Sequence, residues 1–159
     1  KSGNKQMKQD KNTTIFAPYS NYKAKTESRQ VLGMYLEKLD WNYWFTGTFK
    51  EDFRKDSAIK AFYRWLNTMA WIDSVKNYGY AWFLEFGRFR PVPHIHALLH
   101  LPGIEEDRLT SWWQVWFDHY GRATIENYEK EKGAGFYLTK YVVKDSFGKG
   151  SWFVDYPAI

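Results

Sequence analysis

"GYAWFLEFGRFRPVPHIHALLHL", residues 79–101, is two apolar runs joined by a turn, with one carboxylate in the first and three of the chain's four histidines in the second. Both runs are rich in aromatic and aliphatic side chains, as buried strands are. The stretch "GRFRPVP" between them carries turn residues and two arginines, Arg88 and Arg90, so the pattern predicts a β-hairpin. Alternate side chains of a strand share a face. His94, His96, Leu98 and His100 therefore lie on one side, with Ile95, Ala97, Leu99 and Leu101 on the other. The Cα atoms of His94 and His96 come to about 7 Å apart, within reach of one ion, whereas His100 falls about 13 Å beyond His96. Glu85 is the single acid in "AWFLEF", and a carboxylate among apolar residues needs a cation or several hydrogen-bond donors. It shares a face with Phe83 and Ala81, and that face can match the histidine face. Two imidazoles and one carboxylate suit a divalent ion that keeps positions open for a substrate oxygen. A second reading stands beside this one: Glu85 pairs with Arg88 or Arg90, and the histidines pack in the core.

Outward from the hairpin, residues 41–49, "WNYWFTGTF", read as a strand, and a helix is predicted from Ser57 to Lys76. Ile59, Phe62, Tyr63, Leu66, Met69, Ala70 and Val75 form its apolar face. "TESRQVLGMYLEKLD" (26–40) reads as a helix with Val31, Met34, Tyr35 and Leu39 inward. A helix beginning near Glu105 stops at Gly121. "RATIENYEK" reads as a fourth strand, and "SWFVDY" as a fifth after a helical "GAGFYLTKYVVKD". The "SWWQVWF" helix, with Trp112, Trp113, Trp116 and Phe117, is taken as core. Residues 1–25 are polar and lysine-rich, a flexible arm preceding one domain over 26–159. The order of elements predicts an α+β fold: a central antiparallel sheet of about five strands with helices packed on it.

Aromatic residues make up 21% of the 159 residues, more than a core of this size absorbs, so some rings are expected on the surface for work such as base stacking. The net charge of +5 favours an anionic partner. With no cysteine there is no thiolate chemistry, disulfide framework or cysteine-bound zinc. The absence of a long apolar run or signal pattern leads to the expectation of a soluble, cytoplasmic protein that engages no membrane.

In "GFYLTKYVVKD", Tyr137, Lys140, Tyr141 and Lys144 fall at i, i+3, i+4 and i+7, one stripe of a helix. Two phenols interleaved with two ammonium groups suit attack on phosphorus with a lysine at the phosphate charge. The alternative is an amphipathic helix whose tyrosines pack while its lysines reach into water. Arg88 and Arg90 are either phosphate contacts beside the site or solvated loop charge. Lys23, Lys25 and Arg29 would add nonspecific affinity.

Together "WFTGTF", "PHIHALLH" and "YLTKYVVK" resemble, in order, the three motifs of the HUH endonucleases, the superfamily of rolling-circle replication initiators, relaxases and related transposases. The third is similar to the two-tyrosine form. The resemblance covers roughly residues 41–155. It implies the Rep nuclease fold, with an RRM- or ferredoxin-like palm. It also implies that Glu85, His94 and His96 hold magnesium or manganese, and that Tyr137 and Tyr141 are nucleophiles assisted by Lys140 and Lys144. Thr46 and Thr48, in the first motif's polar slots, and Arg88 and Arg90 would face DNA. The implied reaction is strand transfer on single-stranded DNA or an origin hairpin, leaving a 5′-phosphotyrosine and a free 3′-hydroxyl, with Tyr137 the first nucleophile. A plasmid, phage or other mobile-element origin is implied, with any helicase supplied by the host or by a fused domain. "EFGRFRPVPHIHALLH" also resembles Helitron-type transposases, so a transposase nuclease domain stays open, as does a non-catalytic DNA-binding module. Histidine-triad nucleotide hydrolases place a third histidine two residues beyond the second; here that position is Leu98.

Overall fold

The structure, a computed structural model, describes residues 22–50, 53–87, 92–133, 135 and 151–157. In chain order these form α1 (Tyr22–Leu36), β1 (Tyr43–Thr48), α2 (Lys55–Ile72), β2 (Gly79–Phe86), β3 (Pro93–His100), α3 (Leu109–His119), β4 (Ala123–Asn127) and β5 (Ser151–Asp155). The strands make one antiparallel sheet in the order β4-β1-β3-β2-β5. The predicted α+β architecture is the observed one, with three helices on a five-stranded sheet. Its centre is the predicted hairpin: β2 and β3 pair from Gly79↔His100 to Phe86↔Pro93, and Gly87 N–H donates to the Val92 carbonyl to close the turn. Among the described residues no helix is long and apolar enough to cross a membrane.

Period-two alternation sends each strand's side chains to two faces, and the two faces are built differently. One face carries Tyr43, Phe45, Trp82, Leu84, Ile95, Ala97 and Leu99 and is covered by α2 and α3 through Phe62, Trp65, Leu66, Trp112 and Trp116. Aromatic rings dominate this layer. Phe45 stacks on Trp65 with centroids 4.4 Å apart, and the Trp116 ring meets Phe45 edge-on at 5.0 Å. Buried indoles need a partner for their N–H. Trp65 donates to the Trp112 carbonyl, Trp116 to the Thr48 carbonyl, and Trp112 to the Asp73 carboxylate at 2.6 Å. Asp73, at the C-terminal end of α2, also accepts from Arg108, which ties α2 to the start of α3.

The opposite face is covered by α1 only toward one end, where Leu32, Leu36, Leu39 and Trp41 pack on Ala81, Phe83, Leu98 and Val154. Here one expectation fails. Val31 and Met34 are 68% and 64% exposed, and the inward face of α1 is Leu32, Tyr35 and Leu36. Both sets have helical spacing; the sheet offers the leucines a deeper apolar surface than it offers Val31 and Met34. The α3 helix also divides. Trp112 and Trp116 are fully buried, whereas Trp113 is only partly buried and Phe117 is exposed, so half of the presumed core stripe faces outward. The α2 helix adds Trp65 to its predicted face and leaves Ile59 and Tyr63 at the margin of the core.

Candidate functional site

Beyond the part of the sheet covered by α1, the same face turns polar. Cross-strand pairing aligns two rows there. Thr48, His94 and Glu85 are successive partners on β1, β3 and β2. The next row runs across all five strands: Thr124, Thr46, His96, Phe83 and Trp152. Glu85 thus lies directly opposite His94, and its Oε2 reaches diagonally to within 3.3 Å of His96 Nε2. The predicted shared face of Glu85, His94 and His96 is present, and the contact of Glu85 is with His96. His96 is largely buried and Glu85 about one-third exposed.

The other nitrogen of His96, Nδ1, stands 3.3 Å from the Thr46 hydroxyl, and the Trp44 ring lies alongside at 6.4 Å between centroids. A hydroxyl both donates and accepts, so Thr46 can serve either tautomer. When it accepts from Nδ1–H, the Nε2 lone pair is free toward Glu85 and toward any cation there. Burial lowers the pKa of His94 from its usual 6.5; the neighbouring His96 acts in the same direction and Glu85 opposes them. His94 therefore favours the neutral form, the form that ligates metals. Among the described residues no three His, Asp or Glu side chains stand together as a ready-made metal site. The donors nevertheless fit a divalent ion in kind: two imidazoles and a carboxylate share one face, and one carboxylate oxygen already points at an imidazole nitrogen.

His100 is a structural residue. Its Nδ1 donates to the Asp40 carbonyl at 2.6 Å, and its ring packs on Tyr156, whose hydroxyl donates to the same carbonyl. Thr48 donates to the Arg122 carbonyl. Arg88, Arg90, Tyr137, Lys140, Tyr141 and Lys144 lie outside the described residues, as do the side chains of Lys23, Lys25 and Arg29. Gly135, two residues before Tyr137, is buried against the C-terminal end of α1. A Cβ there would come within 2.9 Å of the Glu37 carboxylate and 3.2 Å of Leu36 Cβ. The chain therefore approaches the tyrosine segment on the α1 side of the sheet, the side that carries Glu85 and the histidines. On that side, burial and the adjacent Glu37 push the Tyr128 phenol up to about 12. Tyr43, Tyr78, Tyr80 and Tyr156 are also raised, burial being the first cause in each. None of these five phenols is prepared as a nucleophile.

One feature escaped sequence reasoning. At the edge of the sheet, where β4 begins, a groove of about 350 Å³ is lined by Thr46, Thr48, Thr124, Arg122, Trp113 and Phe117. Its signal in the sequence was the second aromatic pair at i, i+4 on α3, which the core reading of "SWWQVWF" absorbed.

Fold and site together define a class: an α+β domain that carries a histidine–carboxylate group on the open end of an antiparallel sheet. The chain belongs to the ORF2-type family of replication-associated proteins, whose model matches residues 42–146. The match takes in β1 through β4, the whole histidine–carboxylate group and both Tyr-x-x-Lys units. No curated protein and no solved structure matches the chain significantly. Family membership gives it a part in DNA replication.

Proposed function

We propose that the chain is a site-specific single-stranded DNA endonuclease and strand transferase that initiates rolling-circle replication. The observation that carries this reading is the arrangement of Glu85, His94 and His96 on the open end of the sheet face, with Glu85 and His96 already 3.3 Å apart. The approach of the chain to Tyr137 on that same side supports it. Family membership favours replication over transposition. Glu85, His94 and His96 would hold magnesium or manganese, which supplies Lewis-acid polarisation of the scissile phosphate. Thr46 fixes the ring of His96, and Glu85 balances the local charge. The phenol oxygen of Tyr137 forms a bond to phosphorus while the bond from phosphorus to the 3′-oxygen breaks. The phenolic proton is lost and the departing 3′-oxygen ends as a hydroxyl, so one phosphodiester replaces another. Lys140 and Lys144 offset the charge on the phosphate. Tyr141 is placed for a second cleavage or for resealing.

The test is incubation with a labelled single-stranded oligonucleotide carrying the element's origin sequence, with manganese, followed by denaturing electrophoresis. A detergent-stable adduct is expected from the wild type, and none with chelator or from His96→Ala. An adduct whose yield ignores both would remove the metal from the account. An adduct that survives in the Tyr137→Phe/Tyr141→Phe double variant would remove the tyrosines.

A further inference from the structure

The groove at the β4 edge is built differently from the rest of the polar face. Trp113 and Phe117, one helical turn apart on α3, stack nearly parallel, with centroids 5.0 Å apart and planes 18° from each other. The indole N–H of Trp113 donates to the Ala123 carbonyl at 2.8 Å, which pins the pair to the first residue of β4. Phe117 is 38% exposed, and the Lys50 ammonium lies 5.4 Å from its ring centroid. Arg122 is exposed at the rim, and Thr124 and Thr46 floor the opposite wall. The carboxylate of Asp118, also on α3, is engaged by the Gln114 amide. Rigid stacked rings with two cations at hand form a surface that accepts a flat ring and its attached phosphate, and that does so for any base.

Thr46 belongs both to this groove and to the histidine group: it lines the groove and its hydroxyl meets His96 Nδ1. Thr124 and His96 are two strand steps apart in the same cross-strand row, about 10 Å at ordinary strand spacing. We infer that this groove is a nucleobase-stacking subsite for single-stranded DNA. It holds an unpaired base within a few nucleotides of the phosphate at Glu85, His94 and His96, with Trp113 and Phe117 as the platform and Arg122 and Lys50 at the backbone. The inference rests on the strand-transfer reading for its substrate, and not on the identity of the nucleophile or the metal.

Equilibrium binding tests it, measured by fluorescence anisotropy in chelator with labelled oligo(dT) and with an oligonucleotide of equal length that is abasic throughout. Phe117→Ala and Trp113→Ala are expected to weaken oligo(dT) binding about tenfold each, while leaving the weaker abasic binding unchanged. Trp113→Phe, which keeps a ring, is expected to restore most of the affinity. Phe117 is exposed, so its variant keeps the result interpretable if Trp113→Ala folds poorly. The inference is overturned if the wild type leaves oligo(dT) unbound, if Phe117→Ala binds as the wild type does, or if both probes lose affinity equally. Adduct formation by the wild type, run in parallel, separates the two proposals. An adduct without ring dependence sinks the subsite alone, and ring dependence without an adduct sinks strand transfer alone.

Discussion

At the scale of single residues, the site is organised by Thr46 as much as by the ligand candidates. Its hydroxyl meets His96 Nδ1, and His96 Nε2 then faces Glu85, so one β1 side chain sets the direction of a β3 imidazole. Partners of this kind typically change metal affinity or activity about 10- to 100-fold when removed. Thr46→Val, which keeps the shape and loses the hydroxyl, is therefore expected to raise the manganese concentration needed for half-maximal adduct formation by about tenfold or more. An unchanged titration would mean that His96 is oriented by packing alone. The carboxylate and the paired histidines were legible in the sequence because period-two alternation fixes which strand residues share a face. The role of Thr46 was not, because the first motif gives only a polar slot, and which neighbour fills it depends on the β1–β3 register. His100 shows the same limit from the other side. Spacing excluded it from the ion, but its partners, the Asp40 carbonyl and Tyr156, come from loops distant in sequence.

At the scale of elements, "WFTGTF" places a glycine inside a central strand, where it ordinarily weakens pairing. The reason is α3. A Cβ on Gly47 would stand 2.5 Å from Trp116 Cζ2 and 2.6 Å from Phe45 Cζ, so the helix closes on the strand only without one. Gly47→Ala is expected to destabilise the domain by about 1–3 kcal/mol through overpacking, read as a lower urea midpoint with an unchanged slope. A midpoint equal to that of the wild type would show that Trp116 moves freely. Strand and helix existence was readable throughout β1 to β4. The inward face of α1 was not, because Val31–Met34 and Leu32–Leu36 satisfy the same helical period and only the apolar patch at Ala81, Leu98 and Val154 distinguishes them. The split of α3 has a related cause: one helix carries two aromatic pairs at the same spacing, Trp112–Trp116 and Trp113–Phe117, and only the position of the sheet decides which is core.

For the whole molecule, the unequal covering of the sheet separates stability from chemistry. Two helices and an aromatic layer seal one face, and a single helix covers only part of the other, leaving a row of polar residues from the β4 edge to Glu85. The central hairpin, whose pattern made the fold readable, also supplies three of the residues assigned to the site. The covalent step is assigned to tyrosines on a segment that departs from the same face, and trypsin distinguishes them. Cleavage after Lys132, Lys140 and Lys144 places Tyr137 in residues 133–140 and Tyr141 in residues 141–144. The most direct measurement is therefore mass spectrometry of the trypsin- and nuclease-treated adduct formed with manganese and origin DNA. The account predicts a nucleotide mass on the 133–140 peptide, with the 141–144 peptide modified instead when Tyr137 is changed to phenylalanine. A nucleotide on any other peptide, or no covalent species from a protein that binds the DNA, would contradict it.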